Sequence, residues 1–392
     1  MNGKLARRDV MVSSGAFIGS LALGGCSALQ PRLGQTAPKL APIRASADRI
    51  MRITVCTRPF RAEGPRLDVE RIGNKIVVHN YGHGGSGWSL SWGSSTIAAR
   101  KALATGATDV AVIGCGALGL TSATVLQRAG AIVTIYAKDR PPDVRSSLAT
   151  GLWTPDSRIC LDGEATPDFK RLWEEMARIS YQRYQSFLGL ADDPIEWIDS
   201  YHLAADRPAR PVSDAPKSEI KFAELEREMI PDLLSGWTPM EAEMNPFPGH
   251  RVRRTSTMMF NLTAYSRLLI SDFLANGGHI EAREFHSPAD FSSLRQTTLI
   301  NATGFGAKAL FGDESLVPVR GQLTRLIPQP EVHYGLFYDG VLVVPRRDGL
   351  VLQAVDGGES EGFGDDTTIP DRGEAERSVA IIGDLFGKIP NA

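Results

Sequence analysis

No charge of either sign dominates this chain: 43 Lys and Arg stand against 45 Asp and Glu in 392 residues, a formal net charge of −2. Neither a basic patch nor an acidic block is present, which argues against nucleic-acid binding and against a charged interaction tail. Cysteine is scarce. The four, Cys26, Cys56, Cys115 and Cys160, have neither the spacing of a zinc site nor that of a disulfide scaffold, so no metal centre and no structural disulfide is expected. Long apolar runs are missing as well. Val10 to Leu23 is interrupted by Gly and Ser and is too short to span a bilayer. No internal repeat is visible. What remains, 42% hydrophobic and 22% charged residues, suits one large globular domain or two interlocked ones.

The N-terminus reads as targeting rather than fold. Arg7-Arg8 ahead of the weakly apolar stretch resemble a twin-arginine export signal, which carries folded proteins. Leu23-Gly24-Gly25-Cys26 resembles a bacterial lipoprotein cleavage box, with Cys26 as the lipidated first mature residue; a cleaved signal without lipid is the alternative. Residues 1–26 are taken as the export signal and 27–50 as a linker. The expected location is periplasmic, with a membrane anchor through Cys26.

Downstream, Asp109 to Ile113 is continuously apolar enough for a buried parallel strand, Leu118 to Ala129 for a helix ended by Gly130, and Ala131 to Tyr136 for the next strand. Between the first strand and the helix lies Gly114-Cys115-Gly116-Ala117-Leu118-Gly119. In this β-α-β frame the first glycine permits the tight turn, the second lets the backbone approach a pyrophosphate, and the third packs helix on strand. The acid expected on a ribose after the second strand is missing: Tyr136-Ala137-Lys138-Asp139 stands there. Lys138 suits either a 2′-phosphate of NADP or a flavin adenosine held differently. Other expected elements are strands over Ile50–Val55, Lys75–His79 and Thr298–Ala302, and helices over Ser95–Thr105, Phe169–Leu188, Leu262–Asn276 and Glu374–Phe386. A hairpin is expected at 340–353 with Arg346-Arg347-Asp348 at its turn, where the arginines are solvated; an acidic substrate is their alternative partner. Residues 194–259 show little periodicity and predict short strands.

A second glycine-rich stretch, His79-Asn80-Tyr81-Gly82-His83-Gly84-Gly85-Ser86-Gly87, precedes the fingerprint. Its glycines forbid a helix, so His79 and His83 are read as structural, with His83 close to the cofactor, rather than as metal ligands. Together with Trp92-Gly93, Ala149-Thr150-Gly151-Leu152-Trp153-Thr154-Pro155, Asn301-Ala302-Thr303-Gly304 and Gly321-Gln322, this stretch resembles the D-amino acid oxidase family of FAD enzymes. The resemblance runs from Arg52 to the C-terminus. In that family the His-Gly stretch lies near the C-terminus, preceded by a segment like Arg58-Pro59-Phe60-Arg61. Here both come first, so the chain resembles a circular permutant with its new link at 104–108.

The resemblance implies an α/β fold, with an FAD-binding Rossmann-like domain interleaved with a mixed-sheet substrate domain. The expected division gives 51–108 as a permuted closing segment within the FAD domain, 109–165 and 262–312 as the rest of that domain, 166–261 and 313–373 as the substrate domain, and 374–392 as a C-terminal helix on the FAD domain. FAD contacts are implied for Gly114, Gly116, Ala117, Leu118, Gly119, Lys138, Ser146, Ser147, Gly151, Leu152, Phe285, Thr303 and Gly304, and for Gly84, Gly85, Gly87, Trp88 and Ser89. Arg58 would bind a D-amino acid carboxylate, the Gly85 carbonyl its amine, and Tyr338 would be the first of two family tyrosines. The second falls at Leu342, and the family's aromatic after Trp-x-Pro is Asp156. The implied reaction passes the α-hydrogen as hydride to flavin and gives a 2-oxo acid, ammonia and, with O2, hydrogen peroxide. A related glycine- or sarcosine-type amine oxidase, a D-amino acid dehydrogenase, a noncatalytic periplasmic binding lipoprotein with a flavin fold and an NADP reductase stay open, as does a homodimer.

Overall fold

The fingerprint strand Asp109–Ile113 sits inside a six-stranded sheet in the order Val69–Ile72, Lys75–His79, Thr298–Asn301, Asp109–Ile113, Ile132–Ala137, His279–Ala282. Every neighbour pair is parallel except the antiparallel edge strand Val69–Ile72. The computed structural model describes residues 37–204 and 220–388, so the expected export signal, Cys26 and the linker up to residue 36 lie outside the described residues. From Ala37 onward the chain forms one compact unit.

Side chains alternate across this sheet, so two separate cores are built from neighbouring residues. Val110, Val112 and Ile300 face helices Ser91–Leu103, Ala117–Arg128 and Leu262–Ala275, while Val77, Ala111, Ile113 and Leu299 pack on Phe291, Leu294 and Leu310. The continuous apolar run that marked the strand is the consequence of burial on both faces. Helix Pro167–Gln185 lies on helix Ser91–Leu103; its Thr166 cap accepts from Phe169 N–H and Pro167 occupies its first turn.

The second sheet has eight strands, in the order Ile50–Phe60, Val317–Leu326, Gly349–Ala354, Val341–Arg346, Tyr334–Tyr338, Ile195–Ala204, Arg251–Phe260, Thr238–Pro239. It is antiparallel apart from the pair Tyr334–Tyr338 and Ile195–Ala204. Helix Arg372–Gly387 covers one face through Val379, Ile382 and Leu385, which meet Val341, Val343, Leu350 and Leu352. The C-terminal helix therefore packs on this eight-stranded sheet, not on the six-stranded half that carries the fingerprint, as was expected. Its Gly383 lies against the start of the described chain: a Cβ there would stand 2.6 Å from the Ala45 carbonyl oxygen.

Two expectations about 51–108 and 194–259 are corrected. The first strand extends to Phe60 and is the edge of the eight-stranded sheet, so the segment 51–108 is shared between both sheets. The poorly periodic stretch 194–259 contains two ten-residue strands paired along their full length, not short ones.

Candidate functional site

A cavity of about 870 Å3 opens between the two sheets, at the carboxyl ends of the parallel strands. This is where open α/β sheets bind ligands, because strand ends and helix N-termini converge there. Lys138, Glu284 and Phe285 line one part; Arg58, Leu342 and Glu359 line another; the two glycine segments line the wall between.

The fingerprint is built for close backbone approach. A Cβ on Gly119 would stand 2.0 Å from the Gly114 carbonyl oxygen, so helix Ala117–Arg128 can start only where that side chain is absent. The helix is capped by Gly116 without any side-chain cap bond, which leaves its N-terminal N–H groups toward the cavity. Ser146 Oγ accepts from Ala117 N–H at 3.1 Å, and the Ser146 carbonyl accepts from Trp88 Nε1 at 2.8 Å. Lys138 is exposed and paired with Glu284 at 3.3 Å. Glu284 and Arg283, which lies over the rings of Tyr136 and Phe285, are cavity residues that the sequence did not single out. The carboxylate missing from the second strand is supplied in space by a segment 146 residues away in the chain.

The His-Gly stretch is fixed by a buried polar network. Ser94 spends its single proton on Asn80 Oδ1 at 2.6 Å, so His83 Nε2–H must donate to Ser94 Oγ at 2.7 Å. Asn80 Nδ2 donates to Ser122 on the fingerprint helix at 3.0 Å, which ties the two glycine segments together. Burial pushes the His83 imidazole down to about 3, so it is neutral at ordinary pH. His79 accepts from Asn301 Nδ2 at 3.1 Å and donates to Glu70 at 2.9 Å. Both histidines are structural, as read, and His83 also borders the cavity. Gly84 turns with φ +54°, and a Cβ there would stand 1.8 Å from the Arg158 carbonyl oxygen.

At the other part of the cavity, Arg58 lies across bare backbone: a Cβ on Gly321 would stand 2.3 Å from both of its Nη atoms. One Nη1–H donates to the Arg320 carbonyl at 3.0 Å. Among the described residues Arg58 forms no ion pair, and burial lowers its pKa, opposed by the charges of Cys56, Glu359 and Glu361. Arg158 borders the same space; burial and the Arg58 charge lower it to about 10. Its Nε donates to the Glu359 carbonyl at 2.6 Å, which holds the loop after strand Gly349–Ala354 over the cavity. Asp156 Oδ2 accepts from the N–H groups of Leu225 and Glu226 at 2.9 and 3.1 Å, and burial beside this charge pushes the Glu226 carboxyl up. Cys56, Cys115 and Cys160 are free thiols.

Most of the residues expected at the site line this one cavity: Arg58, Gly84, Gly85, Gly87, Trp88, Ser89, Gly114, Gly116, Ala117, Leu118, Lys138, Ser146, Gly151, Leu152, Phe285, Thr303 and Gly304. Gly119 stands behind the wall as the close-packing glycine. Ser147 is not in the wall either; its hydroxyl is buried without a partner. Tyr338 is misplaced by the expectation. It pairs with Val341, and both side chains face the C-terminal helix, whereas Leu342 on the opposite face reaches the cavity. Arg346 is buried, not solvated: it donates to Asp348 and to the Ala149 carbonyl. Arg347 is exposed and paired with Asp193 and Glu196; neither arginine borders the cavity.

A match to the family described as DAO, FAD dependent oxidoreductase, spans residues 109–391. The chain belongs to this family. FAD is its cofactor, and the cavity, with its paired glycine walls and the helix N-terminus that borders it, fits that dinucleotide. Among curated proteins, the D-amino-acid oxidase of Dictyostelium discoideum is 25% identical over 290 residues, covering 71% of this chain and 74% of that protein. The D-amino-acid oxidase of Rubrobacter xylanophilus is 28% identical over 277 residues, covering 68% and 73%. Among solved structures, glycine oxidase from Geobacillus kaustophilus aligns at 17% identity with a TM-score of 0.42, covering 62% of this chain and 70% of that one.

The neutral His83 of this FAD enzyme has a measurable signature. Burial holds its folded-state pKa near 3, below the ordinary imidazole value of 6.5. The unfolded chain therefore binds the extra proton, and stability present above pH 6.5 is lost as pH falls toward 3. Between pH 7.5 and 5, wild type should lose on the order of 2 kcal/mol more than His83→Gln in urea unfolding of the holoprotein. Equal losses in the two proteins would contradict the assignment.

Proposed function

We propose that this FAD-dependent oxidoreductase deaminates D-amino acids oxidatively to 2-oxo acids and ammonia, with hydrogen peroxide formed from O2. The observation that carries this reading is the Arg58 guanidinium, held in the cavity wall with no carboxylate paired to it among the described residues. A desolvated cation is costly without a counter-charge, and a planar guanidinium matches a carboxylate bidentately. Arg58 thus anchors the substrate carboxylate, the Gly85 carbonyl accepts from the amine, and Leu152, Leu323 and Leu342 form an apolar wall that excludes water and receives the side chain. FAD, when bound, supplies the two-electron acceptor. The protein's own part is orientation, which alone is worth several kcal/mol of barrier. The curated relatives named D-amino-acid oxidase support the reading.

We also propose that the chain is a circular permutant. The family match begins at residue 109 and leaves 50–106 outside it, although that segment supplies one strand to the eight-stranded sheet, two to the six-stranded sheet, and part of the cavity lining. The contact between Ala45 and Gly383 supports a former covalent link at that place. Export with a lipid anchor at Cys26 completes the proposal and rests on the Arg7-Arg8 and Leu23–Cys26 motifs.

Anaerobic D-alanine should bleach the flavin spectrum of the purified holoprotein while L-alanine leaves it unchanged, and aerobic turnover should release peroxide. Bleaching by L-alanine, or by neither, would sink the reading. Arg58→Ala should lower kcat/KM by about a hundredfold or more; unchanged kinetics would remove Arg58 from the site. A chain reopened within 104–108, with its C-terminal helix joined by a short linker to residue 45, should fold and retain FAD; an insoluble or colourless product counts against the permutation. Cells fed labelled palmitate should label the wild-type chain and not Cys26→Ser, and label on neither protein would refute the anchor.

A further inference from the structure

We propose that the Glu359 carboxylate receives the substrate ammonium, so that Arg58 and Glu359 together read a zwitterion. The inference rests on the amino-acid chemistry proposed above.

Glu359 lines the cavity with a half-exposed side chain. Burial raises its carboxyl, while the Arg158 charge, Ser157 and Arg58 hold it down. Ser157 is also the neighbour of Gly85: Gly85 N–H donates to the Ser157 carbonyl at 2.9 Å, and a Cβ on Gly85 would stand 2.6 Å from Ser157 Oγ. Glu359 is therefore a neighbour of Ser157, which packs on Gly85, the glycine whose carbonyl is proposed above to accept from the amine. It is not consumed in a tight ion pair. Arg158 directs its Nε to the Glu359 backbone carbonyl and stands 3.8 Å from the carboxylate through Nη1. An ionised carboxylate has about four lone-pair sites, so capacity remains for an ammonium.

Arg58 and Glu359 feel each other's charge but form no ion pair. A guanidinium and a carboxylate border one cavity; these are the two charges that the carboxylate and ammonium of an amino acid would each seek. No phenol from the substrate sheet competes for this place, because Tyr338 faces away and Leu342 stands where the sheet meets the cavity. Glu361 also acts on Arg58 electrostatically but does not border the cavity, so it serves as the control.

The test compares D-alanine with propionate, which is the same skeleton without the ammonium. Holoenzyme affinities come from anaerobic flavin reduction for D-alanine and from flavin spectral perturbation for propionate. Glu359→Gln keeps the backbone carbonyl that Arg158 holds. It should weaken D-alanine by about tenfold or more and leave propionate unchanged or tighter, while Glu361→Gln changes neither. Equal weakening of both ligands, no weakening, or the same selective loss in Glu361→Gln would overturn the assignment. If D-alanine does not reduce the wild-type flavin, the oxidase reading fails separately. The ammonium site is then read from spectral perturbation by both ligands, and it falls if wild type binds D-alanine no better than propionate.

Discussion

The parallel pairing of Lys75–His79 with Thr298–Asn301, and of that strand with Asp109–Ile113, fixes everything that follows. Parallel strands end on the same side of a sheet. The His-Gly stretch and the fingerprint therefore emerge side by side, although one precedes the other in the chain. The ladder continues past the strands: Asn80 N–H donates to the Asn301 carbonyl and Ala302 N–H to the Ile113 carbonyl. Asn80, Ser94 and Ser122 then lock the helix after one glycine stretch to the helix after the other. A fully satisfied polar network in a dry interior holds one arrangement, since every alternative leaves a buried group unpaired.

Shape at the second part of the cavity is set by missing atoms and charge by placement. Arg58 rests on Gly321 because the antiparallel pairing of their strands sets Cys56 opposite Gly321, and only a glycine leaves room for a guanidinium to cross the neighbouring strand. The loop carrying Glu359 is pinned through its backbone by Arg158, which in turn presses its own carbonyl on Gly84. The Gly84 wall, Arg158 and the loop carrying Glu359 are thus in one chain of contacts.

The nucleotide-binding half was legible because its signals are local. The continuous apolar strand, the glycine spacing and the helix after them all lie within thirty residues, and the structure moves their bounds by only a residue or so. The strands Ile195–Ala204 and Arg251–Phe260 were not legible, for charged residues at positions of both parities (Glu196 and Asp199 in one, Arg253 and Arg254 in the other) interrupt the apolar alternation, and each reads as loop until the partner strand is known. Tyr338 failed through parity. A resemblance in sequence carries a residue to a strand but not to a face, and the face is decided by which neighbours cover it. Arg346 failed because a turn arginine is solvated unless distant partners arrive, here the Ala149 carbonyl. Glu284, Arg158 and Glu359 carried no signal at all, since each gains meaning only from residues far off in the chain.

The segment from Ile50 to Leu103 has a mechanical consequence. It places Arg58 and one glycine wall of the cavity within the same short length of polypeptide, Arg58 to Ser89, clamped at one end in the eight-stranded sheet and at the other in the six-stranded sheet. Peeling that strap away would empty both halves of the cavity in a single event. Opening of this strap would therefore disturb both parts of the cavity together.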